Sequence, residues 1–321
     1  MWNTIECAVI GRGHIKSNTP LQDKIYSYSS EAISIIALAD GAGSASHSHI
    51  GAEIVTKEIS DLLQRKFDEL YFENSVEKVK STIMDHLLTP LKLQSEKMNV
   101  NLKMLASTVL CVAIKANKMI CIHIGDGEIG AIKNGDLTVV SSPANGEYIN
   151  STYFVTSTTA FDRMRIYKGE KNGYTSFFLM SDGTSESLYQ RKKRMFSPVI
   201  KKILLQSKFI SKENMDSMLT HSFETVIREK TTDDCSFIGM TYTGGRNGYF
   251  SLTDDEKKYI LERNKNTKYE KIMTELDKPL TISQIARKIH IKPTYCKKAL
   301  DKLVSVGIIE ILAGKYQPIM K

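Results

Sequence analysis

An α+β fold with mostly antiparallel strands is predicted from two features of this 321-residue sequence. Short apolar runs rich in β-branched residues are segregated from two long helix-period stretches, and neighbouring strand candidates are joined by tight turns. A doubly wound sheet would alternate strand and helix instead. The first strand is residues 32–39, an apolar run that stops at Asp40-Gly41 and reads as a buried strand entering a turn. Ile50, Ile54, Ile59, Leu62 and Leu63 then recur at helical spacing, and a second helix is predicted over 76–96. β patterning returns at 107–114 and 119–124, a hairpin of central strands around Lys115-Ala116-Asn117-Lys118. Further strands are predicted at 129–133, at 137–140 after the Asn134-Gly135-Asp136 turn, and at 153–156, 177–180 and 236–242. Helices are predicted over 196–206 and 212–228. Gly244-Gly245-Arg246-Asn247-Gly248 reads as a linker, dividing the chain into residues 1–245 and 246–321.

The hydrophobic content of 41% is ordinary for a chain with a real core, and the length favours two domains. Cys7, Cys111, Cys121, Cys235 and Cys296 lack CxxC spacing, which suits buried, reduced thiols better than disulfides or zinc. No basic region followed by an apolar stretch opens the sequence, and no run approaches the ~20 apolar residues of a membrane span. A soluble cytoplasmic protein without a membrane partner is expected. The net charge of +8 is uneven, because residues 246–321 carry 16 Lys and Arg against 9 Asp and Glu. The larger part is nearly neutral and the tail is basic.

Three segments share one construction, an aspartate beside small or polar residues at the end of an apolar strand: Asp40-Gly41-Ala42-Gly43-Ser44, Ser181-Asp182-Gly183 and Asp233-Asp234-Cys235-Ser236. Gly125-Asp126-Gly127 is a fourth. Carboxylates at the ends of neighbouring strands can converge, and hard oxygen ligands suit Mg²⁺ or Mn²⁺. Any single Asp-Gly is more often a solvent-facing turn. The ordered set, with Gly11 to His14, Gln22-Asp23, Gly51-Ala52 and Ser107-Thr108, resembles the type 2C (PPM) metal-dependent phosphatases, bacterial members in particular. The resemblance spans about residues 5–243.

It implies a two-layer antiparallel β-sandwich flanked by helices, with a metal centre at one end of the sheets. Asp40 would bridge two ions, Gly41 would offer its carbonyl, Asp182 and Asp233 would complete the inner coordination, and Asp23 would bind through water. Asp126 matches the position of a third, weaker ion; its alternative is a turn aspartate. The implied reaction is hydrolysis of phosphoserine or phosphothreonine by a metal-bridging water, without a cysteine nucleophile. Asp234 stands where the family often has asparagine and is expected to support the ligand loop.

Many relatives carry an arginine for the substrate phosphate shortly before Asp23. Here Arg12, His14 and Lys16 are the basic groups in the loop 11–23; Arg12 offers bidentate geometry and the bacterial Gly-x-x-His pattern points to His14, so both stand as catalytic candidates. Some eukaryotic relatives place a proton-donating histidine where this chain has Ala42, so another group must protonate the leaving alkoxide. His47 and His49 read as an exposed capping loop, and His123 as a core histidine. The basic run Arg191-Lys192-Lys193-Arg194 falls where the family places a variable flap and reads as a solvated loop or as an attractor of acidic substrates.

The tail resembles a winged helix-turn-helix, with helices over 269–276, 282–289 and 293–304 and a β-wing after Gly307. Bound to DNA, its third helix would present Thr294, Tyr295, Lys297, Lys298 and Lys302, with Lys315 on the wing. Docking to a protein or autoregulation is the alternative. The leading reading is a protein serine/threonine phosphatase, acting on phosphoproteins opposite a cognate kinase. Its rivals are a non-catalytic phosphatase-like sensor with the winged helix as output, and a phosphatase of small molecules.

Overall fold

The computed structural model describes residues 1–143, 152–244, 248–261 and 267–319. The strands of its larger part are β1 (Trp2–Val9), β2 (Lys24–Ser29), β3 (Ile33–Ala39), β4 (Val109–Lys115), β5 (Lys118–Ile124), β6 (Glu128–Lys133), β7 (Asp136–Ser141), β8 (Arg165–Glu170), β9 (Tyr174–Met180), the short hairpin β10 (Tyr189–Gln190) and β11 (Met195–Phe196), and β12 (Cys235–Tyr242). One sheet has the order β1-β12-β9-β6-β7 and the other β2-β3-β4-β5-β8, with neighbouring strands antiparallel throughout. The helices are α1 (Arg12–Ser17), α2 (Ser48–Phe72), α3 (Val76–Met98), α4 (Ala160–Arg163), α5 (Asp182–Leu188), α6 (Pro198–Gln206) and α7 (Lys212–Ser222).

The sheets pack face to face. Ile36 and Leu38 of β3 and Leu110 and Val112 of β4 meet Phe177, Leu179, Ile238 and Met240 between the layers. Ile35, Ala37, Val109 and Cys111 point the other way, into a core closed by Val55, Ile59 and Leu63 of α2 and Ile83 and Leu87 of α3. A strand buried on both faces has no polar alternation, which is why 32–39 and 107–114 are continuous apolar runs.

Strands β1, β2 and β8 have no counterpart in the sequence reading. Each lies at a sheet edge, and β2 and β8 have no fully buried residue, so Lys-Ile-Tyr-Ser-Tyr-Ser and Arg-Ile-Tyr-Lys-Gly-Glu carry little hydrophobic signal. The strand expected at 153–156 is a turn: Val155 N–H makes one ladder-like bond to Ser107, and Ser157 N–H folds back to Phe154. The loop expected from residue 12 is the short helix α1. The helix expected over 212–228 ends at Ser222 and continues as a wider turn over Phe223–Ile227 and a tighter one over Arg228–Lys230.

After residue 248 come α8 (Asp254–Leu261), α9 (Thr267–Glu275), α10 (Ile282–Lys288) and α11 (Pro293–Ser305), then the hairpin β13 (Ile309–Leu312) and β14 (Lys315–Pro318). Thr281 caps α10 in a reciprocal box with Gln284, and Pro293 opens α11. The expected linker residues 245–247 lie outside the described residues, and α8 was not anticipated. Tyr249, Ile260, Ile272, Leu300 and Leu303 belong to the same buried cluster as Ile5, Phe178, Leu204 and Phe237 on the outer face of the first sheet. Lys208, 3% exposed, donates to both Glu256 oxygens at 2.7 Å, and Tyr259 Oη donates to the Pro198 carbonyl at 3.1 Å. No described helix is long and apolar enough to cross a membrane.

Candidate metal centre

The strand register brings the acidic segments to one end of the sandwich. Lys24, just after Asp23, pairs with Ala39, just before Asp40. Val109 pairs with Ile124 ahead of Asp126, Met180 ahead of Asp182 pairs with Glu128 and Phe237, and Cys235 after Asp233 pairs with Val9. Carboxylate oxygens of Asp40, Asp126 and Asp182 lie within 4.8 Å of one another. Asp23 and Asp233 are close enough to repel Asp40.

The supports are local. Asp40 donates its N–H to Thr108 Oγ1 at 2.8 Å and accepts at its carbonyl from Thr108 N–H at 2.8 Å, which gives the Ser107-Thr108 pair its place in the pattern. Gly41 forms a backbone bridge with Ser107. Thr152 hydroxyl donates to Asp126. Asp234 points inward as a staple: Oδ1 accepts from Gly11 N–H at 2.7 Å and from His14 Nδ1 at 2.8 Å, and Oδ2 accepts from Gln22 N–H at 2.7 Å. One buried carboxylate thereby holds α1 and the Asp23 loop against the Asp233 loop. Gly11 is needed by close approach, since a Cβ there would lie 2.3 Å from the carbonyl carbon of Asp233; at Gly183 it would lie 2.3 Å from the Asp234 oxygen.

Burial, then mutual repulsion, raises the proton affinity of Asp23 and Asp40 well above the carboxylate range. Burial and the charges of Asp126 and Asp233 push Asp182 up to about 7, and burial raises Asp233 as well. Asp23 Oδ2 and Asp182 Oδ1 are buried with no hydrogen-bond partner among the described residues. Crowded carboxylates with unsatisfied buried oxygens fit a hard divalent cation, which would neutralise the repulsion and take the free lone pairs.

The two basic candidates part company. His14, 16% exposed in its side chain, is held by Asp234 and lies near enough to Asp233 to interact with it electrostatically. Arg12 is drawn outward, donating to the Thr231 carbonyl at 3.2 Å and to Glu229 at 3.4 Å. Ala42 is buried with Ala45 and Ala106, so a histidine would not fit there without rearrangement. His123 is a satisfied core residue, bonded to Ser141 Oγ and the Gly125 carbonyl. Sequence reasoning missed Thr152 and the fully buried Glu128, because neither lies in a recognisable motif.

An antiparallel sandwich that gathers five carboxylates at one end, two of them with unsatisfied oxygens, defines a metal-binding enzyme scaffold. The family described as protein phosphatase 2C matches residues 10–223, and the chain belongs to that family, the one its motifs resemble. Serine/threonine-protein phosphatase 3 of Escherichia coli (strain K12) is 24% identical over 178 residues, covering 52% of this chain and 67% of the relative. Among solved structures, a bacterial serine phosphatase aligns with TM-score 0.54 at 15% identity, covering 77% of this chain and all of that one. The catalytic domain of the serine/threonine protein phosphatase PstP, in complex with two manganese ions, aligns with TM-score 0.50 at 16% identity, covering 75% of this chain and 99% of that one. At such identities the structural likeness concerns the fold. The chain is thus an enzyme of the protein phosphatase class.

Proposed function

We propose that the chain removes phosphate from phosphoserine and phosphothreonine residues of proteins in the cytoplasm, opposing a serine/threonine kinase. The observation that carries this reading is the convergence of Asp40, Asp126 and Asp182 in a chain of the protein phosphatase 2C family. Asp40, Gly41, Asp182 and Asp233 would hold two Mg²⁺ or Mn²⁺ ions, with Asp23 acting through water and Asp126 at a third, weaker position. When bound, such ions supply charge neutralisation and an activated water. The protein's own part is to bind and orient. Asp234 fixes the tautomer and direction of the His14 ring, which suits His14 to hold a phosphate oxygen or pass a proton to the leaving alkoxide. Arg12 sits farther out and is assigned to the approaching phosphoprotein. A complete acidic set disfavours a non-catalytic sensor, since a degenerate site would lose ligands.

The test is phosphate release from a phosphothreonine peptide with Mn²⁺ or Mg²⁺. Asp40→Asn and Asp182→Asn should each lower kcat at least ~100-fold, and EDTA should abolish turnover. Undiminished turnover in EDTA or in both variants would sink the mechanism.

The basic tail is read as a winged helix that binds DNA. Lys292, Thr294, Tyr295, Lys297 and Lys298 are exposed along one end of α11, and Lys315 is exposed on the hairpin. Exposed Ile311 and Leu312 on the same hairpin favour a protein partner instead. Binding of the full chain to duplex DNA, weakening with salt and weakened further in Lys297→Ala/Lys298→Ala, is expected; no binding at low salt leaves the protein partner.

A further inference from the structure

Glu128, the first residue of β6, is 0% exposed, and neither carboxylate oxygen has a hydrogen-bond partner among the described residues. It lines a cavity of about 230 Å³ whose other walls are Ser142, Pro143, Tyr189, Arg191 and Arg194. A buried carboxylate facing open space without a donor is strongly unfavourable unless something fills that space. The nearest source of donors is the turn of the β10–β11 hairpin. Arg194 there is occupied beside the Tyr189 hydroxyl. Arg191 is exposed, its side chain makes no hydrogen bond or ion pair among the described residues, and it is the positive charge that acts most strongly on Glu128. The strands of the hairpin are two residues each, so little ladder bonding resists its movement.

The position matters for the reaction. Glu128 stands two residues from Asp126, just past the bend that joins β5 to β6, and the hairpin leaves the end of α5, whose first residue is Asp182. We propose that Arg191 seats on Glu128, and that this pair fixes the hairpin beside the acidic centre in the form that holds a phosphoprotein. Glu128 is thus a positioning residue for protein substrates, an inference that rests on the phosphatase reading above. A guanidinium matches both carboxylate oxygens at once. Once Arg191 is seated, Lys192 and Lys193 remain exposed for acidic groups of the substrate.

Full-length wild type, Arg191→Ala, Glu128→Gln and the double variant should be compared on a phosphothreonine protein and on p-nitrophenyl phosphate. Each single change should raise KM for the phosphoprotein roughly tenfold, the scale of one charge-assisted pair, with kcat nearly unchanged. The double variant should be no worse than the poorer single, Arg191→Lys should recover part of the loss, and the small substrate should be handled normally. A readout independent of turnover is tryptic cleavage in 191–194, which Glu128→Gln should accelerate about fivefold. Additive losses, an equal loss on p-nitrophenyl phosphate, or an unchanged cleavage rate would overturn the pairing. A wild type inactive on both substrates would refute the phosphatase reading, while the tryptic comparison would still decide whether Arg191 seats.

Discussion

Crowding at Asp23, Asp40, Asp182 and Asp233 makes protons bind more tightly to the folded chain than to the unfolded one, with burial the first cause at each. The sign follows from linkage: between the ordinary carboxylate value near ~4 and the raised value of about 7 at Asp182, the folded state holds the extra protons, so raising pH costs the metal-free protein stability. Its Tm should therefore fall between pH 5 and pH 7, and saturating Mn²⁺ should remove most of the decline. Asp182→Asn should flatten it without metal. A metal-free Tm that rises through that window in differential scanning calorimetry would contradict the assignment of these groups. Asp40, Asp182 and Asp233 were legible because each flanks an apolar strand, and Asp23 through the Gln22-Asp23 pair of the family pattern. The support from Thr152 and the orphaned Glu128 was not, since both depend on contacts between residues distant in sequence.

Glycines at the loop junctions do for the elements what Asp234 does for the side chains. Gly11 has an ordinary extended backbone, φ −68° and ψ 153°, so its constraint is space rather than conformation. Gly11→Ala would press a methyl group into the Asp233 backbone, and a cost of ~1–3 kcal/mol is expected, with weaker Mn²⁺ affinity because the Asp233 loop must shift. Chemical denaturation checks the first effect and a metal titration the second; unchanged stability would mean that α1 is free to move away. Central strands announced themselves in sequence because both faces are buried. The edge strands β2 and β8 did not, since polar side chains on partly exposed strands leave no period to read. The short α1 likewise had no apolar face to betray it, as none of its residues is buried.

At the scale of the molecule, the composition shift that sets off residues 246–321 is real in charge but is not matched by a separate core. The tail's helices bury Ile260, Ile272 and Leu300 in the cluster that also covers Phe178 and Phe237, and Lys208 and Glu256 join the two parts by a buried pair. Sequence patterning located α9, α10, α11 and the hairpin but not α8, and could not show where their apolar faces would be spent. This shared packing ties whatever the tail binds to the sheet whose opposite end carries Asp182 and Asp233, a mechanical connection that a flexible linker would lack. Whatever the tail binds, the acidic centre carries the chemistry. Calorimetric titration of Mn²⁺ into the metal-free full-length chain near pH 7 tests it most directly. Two ions per chain should bind with release of protons from the raised carboxylates, and Asp182→Asn should lose at least one of them. No Mn²⁺ uptake, or uptake unchanged in the variant, would contradict it.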